Sequence, residues 1–179
     1  MSRKLLVTLH LYLASFFTPA VLLVAISGGL YLIGIKGSVE QETIYRSEGA
    51  TLDTQSPRLQ DDVESLLTTA GVEGFSFEYV KVKGSTLYTR PTSREYYIIN
   101  LAPEAVEVVH AQPSLQKRMI ELHMGHGPSA FKTFQKFFAA GLLLMMLTGL
   151  WLGLSSAPLR RSTAVTVLAG TLVFGVLLI

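Results

Sequence analysis

The first apolar run most constrains what this chain can fold into, because residues 5–35 carry no charged side chain. A helix needs about 20 apolar residues to cross the hydrocarbon core of a bilayer. Two further uncharged runs, residues 137–154 and 162–179, are each just long enough to cross. Hydrophobic residues make up 49% of the sequence and charged residues only 16%, which is unlike an ordinary soluble domain. The sequence therefore predicts a membrane protein with three transmembrane helices.

The N-terminus begins as an export signal does, with Arg3 and Lys4 ahead of apolar residues. The apolar region of a cleaved signal is roughly 7 to 15 residues long, about half of the run found here. The one clear small-x-small site, residues 25–27, lies deep inside that run. We therefore expect an uncleaved anchor. The third span reaches Ile179 with no polar tail, which fits either a natural end or a shortened chain.

The distribution of charge predicts the orientation of the spans. All 13 acidic residues fall between Glu40 and Glu121, whereas the short flanks carry basic pairs at residues 3–4 and 160–161. Short loops rich in Lys and Arg stay in the cytoplasm, while long domains are exported largely regardless of charge. We expect a membrane protein whose N-terminus is cytoplasmic and whose residues 36–130 lie on the outer side of the membrane.

Composition excludes several functions. The chain has no cysteine, so thiolate metal sites, iron-sulfur clusters and covalently attached haem are excluded. The segment between the first two spans holds more acidic than basic side chains, whereas nucleic-acid-binding surfaces are basic. We expect a lipid bilayer, and no nucleic acid, among the partners. The motifs typical of hydrolases and of nucleotide-binding proteins are missing as well.

The exported segment has the pattern of a small α+β domain. Residues 57–70 show the apolar spacing of a helix with one buried face, and Gly71 suits its end. Residues 75–82, 86–90, 94–101 and 105–109 are rich in aromatic and β-branched side chains, which is typical of strands. We predict one helix on a three- or four-stranded antiparallel sheet. The predicted divisions are residues 1–35 (cytoplasmic N-terminus and transmembrane helix 1), 36–115 (exported domain), 116–133 (interfacial elbow), 134–155 (transmembrane helix 2), 156–161 (cytoplasmic loop) and 162–179 (transmembrane helix 3).

Several short motifs, in this order, resemble the PepSY-associated transmembrane family of bacterial inner-membrane proteins. Residues 9–13 (Leu-His-Leu-Tyr-Leu) and 27–30 (Ser-Gly-Gly-Leu) are similar to the family's first helix. Residues 122–125 (Leu-His-Met-Gly) and 147–151 (Leu-Thr-Gly-Leu-Trp) are similar to its second. The predicted helix and strands resemble a PepSY domain, although residues 101–105 depart from the Asp-x-x-Thr-Gly turn that such domains often show.

The resemblance implies a link to iron uptake, since larger relatives include ferric-siderophore reductases that bind haem in the membrane. It implies haem b as the cofactor and makes His10, His123 and His126 the candidate ligands. Whether the chain is itself an enzyme stays open. If it is one, the resemblance implies a haem-dependent oxidoreductase similar to a ferric reductase.

The histidines allow more than one interpretation. His10 lies inside the first apolar run and must have a partner, either a group on a neighbouring helix, a lipid headgroup or haem iron. His123 and His126 could bind a non-haem metal, His123 alone could bind haem, or both could meet headgroups at an elbow. One monomer cannot clamp one haem between His10 and His123 if they lie at opposite faces of the bilayer. His110 is expected to be exposed, and Tyr88, Tyr96 and Tyr97 to pack in the core.

Small residues predict close helix packing. Ala25 and Gly29 stand four apart in the first span, and Gly149 and Gly153 do so in the second. We expect these two spans to form an antiparallel pair.

Three functional hypotheses follow. The first is haem-linked electron transfer toward ferric iron or a ferric-siderophore. The second is a non-enzymatic accessory or assembly subunit that contacts a periplasmic partner through its PepSY domain, with another membrane protein or a second copy beside its helices. The third is a periplasmic metal or ligand sensor using His123 and His126.

Overall fold

The computed structural model describes residues 2–103 and 105–179 and shows a mixed α+β fold. The elements in chain order are α1 (Arg3–Leu32), β1 (Val39–Glu48), α2 (Leu59–Thr69), β2 (Tyr79–Lys83), β3 (Thr86–Arg90), β4 (Tyr96–Ala102), β5 (Ala105–Pro113), α3 (Leu115–His123), α4 (Ser129–Leu154) and α5 (Arg160–Leu177). By length and composition, α1, α4 and α5 could each cross a membrane. The chain divides into two compact units, of which the first comprises the chain up to Val21 and from Lys136 onward, and the second is Leu22–Gln135.

In the first unit, α1 and α4 pack antiparallel through a few side chains. The rings of Phe17 and Phe138 lie 5.6 Å apart between centroids, and both residues are buried. Gly141, one turn along α4, lies directly against the Phe17 ring, where a Cβ would be 2.7 Å from Cζ. Farther along the pair, His10 of α1 contacts Thr148 of α4. Gly141, which is not among the small residues expected to pack, therefore lets the two helices approach closely.

In the second unit, all five strands form one antiparallel sheet in the order β1-β5-β4-β3-β2. Alternate side chains of β4 and β5 point to opposite faces, and both faces are buried. On one face, Val63 and Leu67 of α2 pack against the sheet in a core cluster. The other face carries a second, smaller cluster. The sheet residues of the first cluster are Leu87, Tyr97, Ile99, Val106 and Val108, and the second consists of Tyr96, Ile98, Val109 and Ala111.

The sheet differs from the prediction in having five strands. The additional strand, β1, is polar and mostly exposed, so its sequence lacks the apolar alternation by which strands are recognised. It is held instead by backbone pairing with β5. In the segment predicted as a strand at residues 75–82, only the part from Tyr79 is extended. Phe75 and Phe77 pack against the α2-side core from a loop.

The chain enters and leaves the sheet domain at one place. Val39, the first residue of β1, pairs with Pro113, the last residue of β5. The amide of Ser38 donates to Ser114 Oγ at 3.1 Å, and the amide of Ser114 donates to the Ser38 carbonyl at 2.9 Å. Gly37 has φ +69° and lies so close to α3 that a Cβ would be 2.6 Å from the Lys117 nitrogen. Only glycine fits at this point, where the chain passes close to α3.

Candidate functional site

His10 of α1 is half-buried and forms a hydrogen bond with a residue on the neighbouring helix, which is one of the alternatives that the sequence left open. Its Nδ1 lies 3.0 Å from Thr148 Oγ1. The imidazole also lies over the next residue, Gly149, where a Cβ would be 3.1 Å from His10 Cε1. A larger residue at that position would push the ring away, so glycine here makes room for the imidazole beside Thr148.

The direction of this bond follows from the other contacts of the hydroxyl. Thr148 Oγ1 donates to carbonyls of its own helix, 2.8 Å from Leu144 O and 3.0 Å from Met145 O. A hydroxyl has one proton and a carbonyl can only accept, so in the tautomer that satisfies all three contacts Nδ1 of His10 donates to Oγ1. A neutral imidazole that donates through Nδ1 carries its lone pair on Nε2. Among the described residues, Nε2 has no hydrogen-bond partner.

His123 repeats this arrangement at the end of α3. Its Nδ1 lies 3.0 Å from Ser27 Oγ, and the Ser27 hydroxyl donates in turn to Val24 O at 3.3 Å. The next residue is again a glycine: a Cβ on Gly28 would be 3.3 Å from His123 Cε1. Ser27 is 1% exposed, whereas His123 is exposed. Both histidines are thus anchored through Nδ1 by a hydroxyl-glycine pair on another helix.

His126 belongs to a different group of side chains, centred on the buried carboxyl of Glu121. His126 Nδ1 lies 2.7 Å from Glu121 Oε2, and Thr92 Oγ1 donates to the same oxygen at 2.6 Å. Lys117 Nζ is 2.9 Å from Oε1, and Arg90 Nη1 is 3.9 Å from Oε2. Burial raises the pKa of the Glu121 carboxyl, but its hydrogen bonds outweigh this and hold the pKa below the usual value.

The structure therefore does not give His123 and His126 a shared partner. α3 ends at His123, so the two residues are not on one helix face. Their Nδ1 atoms are bonded to Ser27 and to Glu121 respectively. In the parts of the chain that the structure describes, no three His, Asp or Glu side chains are grouped to hold a metal ion. A non-haem metal at this pair would need ligands from outside these residues.

The small residues that contact other helices are only partly those expected. Gly149 contacts His10, and Gly153 contacts Thr163 of α5, where a Cβ would be 2.6 Å from Oγ1. Ala25 and Gly29 are exposed, and a Cβ on Gly29 would meet no atom of the described chain within 4 Å. In α1 the close contact falls at Gly28 instead, together with Ser27.

His110 is not exposed as expected, because it lies within β5 and its Nε2 is 2.6 Å from Glu95 Oε1. The prediction placed it beyond the last strand, which extends farther than the apolar pattern indicates. Tyr96 and Tyr97 are buried on opposite faces of the sheet, as their neighbouring positions on one strand require. Tyr88 packs at the edge of the cluster that contains Tyr96.

Sequence reasoning missed the hydroxyls of Ser27 and Thr148 and the carboxyl of Glu121 as partners of the histidines. A usable signal exists for the hydroxyls, since both apolar runs contain a hydroxyl residue followed by glycine. Comparisons with protein-family models, with curated proteins and with solved structures found no match to this chain.

Proposed function

We propose that this chain is a bacterial inner-membrane protein of the PepSY-associated transmembrane type that holds haem b through His10 and His123 and serves iron uptake. In this proposal, α1, α4 and α5 cross the membrane, the N-terminus is cytoplasmic and residues 36–130 are periplasmic. The observation that carries the proposal is the repeated anchoring of an imidazole by a hydroxyl-glycine pair. Fold and orientation rest on the apolar helices and on the charge asymmetry of the sequence.

The anchored imidazoles have the chemistry of haem ligands. A metal-binding histidine usually donates its other ring N–H to a nearby acceptor, which fixes the tautomer and the ring orientation. In the tautomer in which Ser27 and Thr148 accept that bond from Nδ1, Nε2 is left to coordinate. Haem b would supply one-electron transfer when bound.

Each site would need a second ligand from elsewhere. His10 and Ser27, the α1 members of the two pairs, are about 25 Å apart along the helix at about 1.5 Å per residue. One haem therefore cannot join both pairs. A further haem ligand would come from another copy of the chain or from a partner subunit, which agrees with the expectation of a membrane-protein partner.

The test is the absorption spectrum of the full-length protein, expressed in haem-replete cells and purified in detergent. We expect a Soret band that falls by about half in either His10→Ala or His123→Ala and disappears in the double variant. The control is His110→Ala, which removes an imidazole bonded to Glu95, just before β4, and should leave the band unchanged. A colourless, folded preparation would contradict haem binding.

A second candidate function is that of an accessory subunit, and the surface of α5 favours it. None of the described residues of α5 is buried, so the helix presents apolar side chains such as Leu168, Leu172 and Phe174 on all sides. A helix of this kind meets lipid or another protein. Gentle solubilisation of the tagged protein should then recover a partner in fixed stoichiometry. Recovery of a pure monomer would count against this function.

A further inference from the structure

A basic pocket of about 330 Å³ lies between the sheet and α3, apart from the anchored histidines. Its wall carries Lys81 and Lys83 of β2, Arg90 of β3 and Lys117 of α3. Among the described residues that line it, Glu121 is the only acidic one. Acidic side chains outnumber basic ones over residues 36–129, so the domain is negatively charged overall, whereas this pocket carries four positive side chains.

The register of the sheet brings these cations together. Lys81 and Lys83 are two residues apart on β2, so they point to the same face. Lys81 pairs with Tyr88 on β3, and Arg90 follows Tyr88 by two residues on that same face. Three cations from neighbouring strands thus line one side of the pocket, and Lys117 faces them from α3.

The positive charge is only partly compensated within the chain. Glu121 pairs with Lys117 at 2.9 Å and lies 3.9 Å from Arg90. Lys81 and Lys83 have no carboxylate partner among the residues described by the structure. Arg90 donates from Nη1 to Thr92, but its buried Nε has no acceptor within the described chain. The pocket therefore has more hydrogen-bond donors and more positive charge than the acceptors and carboxylate of its lining residues can satisfy.

We propose that this basic pocket binds a phosphate-bearing anion. Arginine presents a planar fork that matches phosphate oxygens, and lysine is a common phosphate ligand acting as a point charge. The hydroxyls of Tyr88 and Tyr96, which also line the pocket, are further donors. The volume falls at the lower end of the roughly 300–1,000 Å³ typical of small-ligand sites.

The phosphate could come from two sources, a soluble phosphate compound or a lipid headgroup. The second source arises because His126, which lines the pocket, lies three residues before the start of α4, one of the helices long enough to cross a membrane. The proposal does not depend on haem binding, since His10 and His123 are not among the residues that line the pocket.

The experiment uses the full-length protein in maltoside, a detergent without phosphate. One arm titrates inorganic pyrophosphate by calorimetry. The other adds phosphatidylglycerol and counts bound lipids by native mass spectrometry, with phosphatidylcholine for comparison. The double variant Lys81→Gln with Lys83→Gln should weaken binding by about tenfold or more. A charge-preserving double variant, Lys81→Arg with Lys83→Arg, should bind as the unaltered protein does. A second control, Arg46→Gln with Arg58→Gln, removes the same charge elsewhere in the sheet domain and should leave binding unchanged.

Binding of pyrophosphate alone assigns the pocket to a soluble phosphate, and binding of phosphatidylglycerol alone assigns it to a headgroup. Binding of both, with competition between them, supports the shared phosphate chemistry. If neither probe binds at about 1 mM, or if the Gln double variant binds as well as the unaltered protein, the proposal is overturned.

Discussion

Nδ1 of His10 lies 3.0 Å from the hydroxyl of Thr148, and this hydrogen bond joins α1 to α4. An unpaired polar group between apolar helices is unfavourable, so this bond selects one register and one rotation of α1 against α4. Phe17 and Gly141 satisfy the same register two turns away by close packing. Polar pairing and close packing therefore specify the same helix pair independently.

Replacing Thr148 with valine should test the polar contribution. The change keeps the shape of the side chain but leaves His10 Nδ1 without its hydrogen-bond partner. We expect the free energy of unfolding in detergent to fall by about 0.6–2 kcal/mol, the range measured for hydrogen bonds between membrane helices. The control is Thr166→Val on α5, whose hydroxyl bonds only its own helix, to Ser162 O. Equal losses in the two variants would show that the bond to His10 contributes nothing.

Replacing Gly141 with alanine should test the packing contribution. The added methyl group would overlap the ring of Phe17, which is buried and cannot move without disturbing Phe138. We expect this variant to be less stable than Gly170→Ala by about 1–3 kcal/mol, measured by unfolding in detergent. Gly170 is the matched control because a Cβ there meets nothing within 4 Å in the described chain. Two variants of equal stability would contradict the α1–α4 contact.

Stability should depend on acid through Glu121. Its pKa in the folded protein is lower than the ordinary value of 4.5, because the hydrogen bonds to its carboxylate outweigh its burial. The stabilising contribution is therefore present above about pH 4.5 and is lost as the pH falls through the lower pKa of the folded state. We expect the unfolding temperature to drop over this acidic range.

Glu121→Gln should flatten that dependence and lower stability at pH 7 by about 1–3 kcal/mol, because Lys117 and Arg90 lose their buried partner. The exposed Glu73→Gln serves as the control. An unchanged pH profile in Glu121→Gln would assign the acid sensitivity to other carboxyls.

The proposed orientation can be tested directly, because the chain has no cysteine of its own. Single cysteines can be placed at two exposed positions, Gln55→Cys in the sheet domain and Ala157→Cys between α4 and α5. If the sheet domain is periplasmic, an impermeant maleimide added to intact spheroplasts should label the first and not the second, since short basic loops stay inside. Labelling should reach the second only after permeabilisation. The reverse result would invert the orientation.

The sequence predicts the long helices and the inner strands well, because long apolar runs and apolar alternation are local signals. β4 is recognisable from its own residues, whereas β1 (Val39–Glu48) is stabilised by pairing with a strand far along the chain. α3 is likewise hard to predict from its own residues. Only Ile120 and Glu121 are buried, so its apolar pattern is weak, and the glycines and proline that follow are typical of a turn.

The partners of the histidines depend on contacts that no local pattern contains. Ser27 and His123 are 96 positions apart, and His10 and Thr148 are 138 apart. The sequence shows that His10 needs a partner, since an imidazole in an apolar run is costly, but many hydroxyls could serve. The role of Glu121 could not be predicted from the sequence, because its partners come from β3, from the following loop and from its own helix.

The crossing at Ser38 and Ser114 gives the sheet domain the character of an insertion. Its two terminal residues, Val39 and Pro113, are partners across an antiparallel ladder, and such partners lie about 5 Å apart. A single short joint could span that distance. The whole sheet could therefore be inserted, deleted or replaced as one segment without moving the backbone on either side.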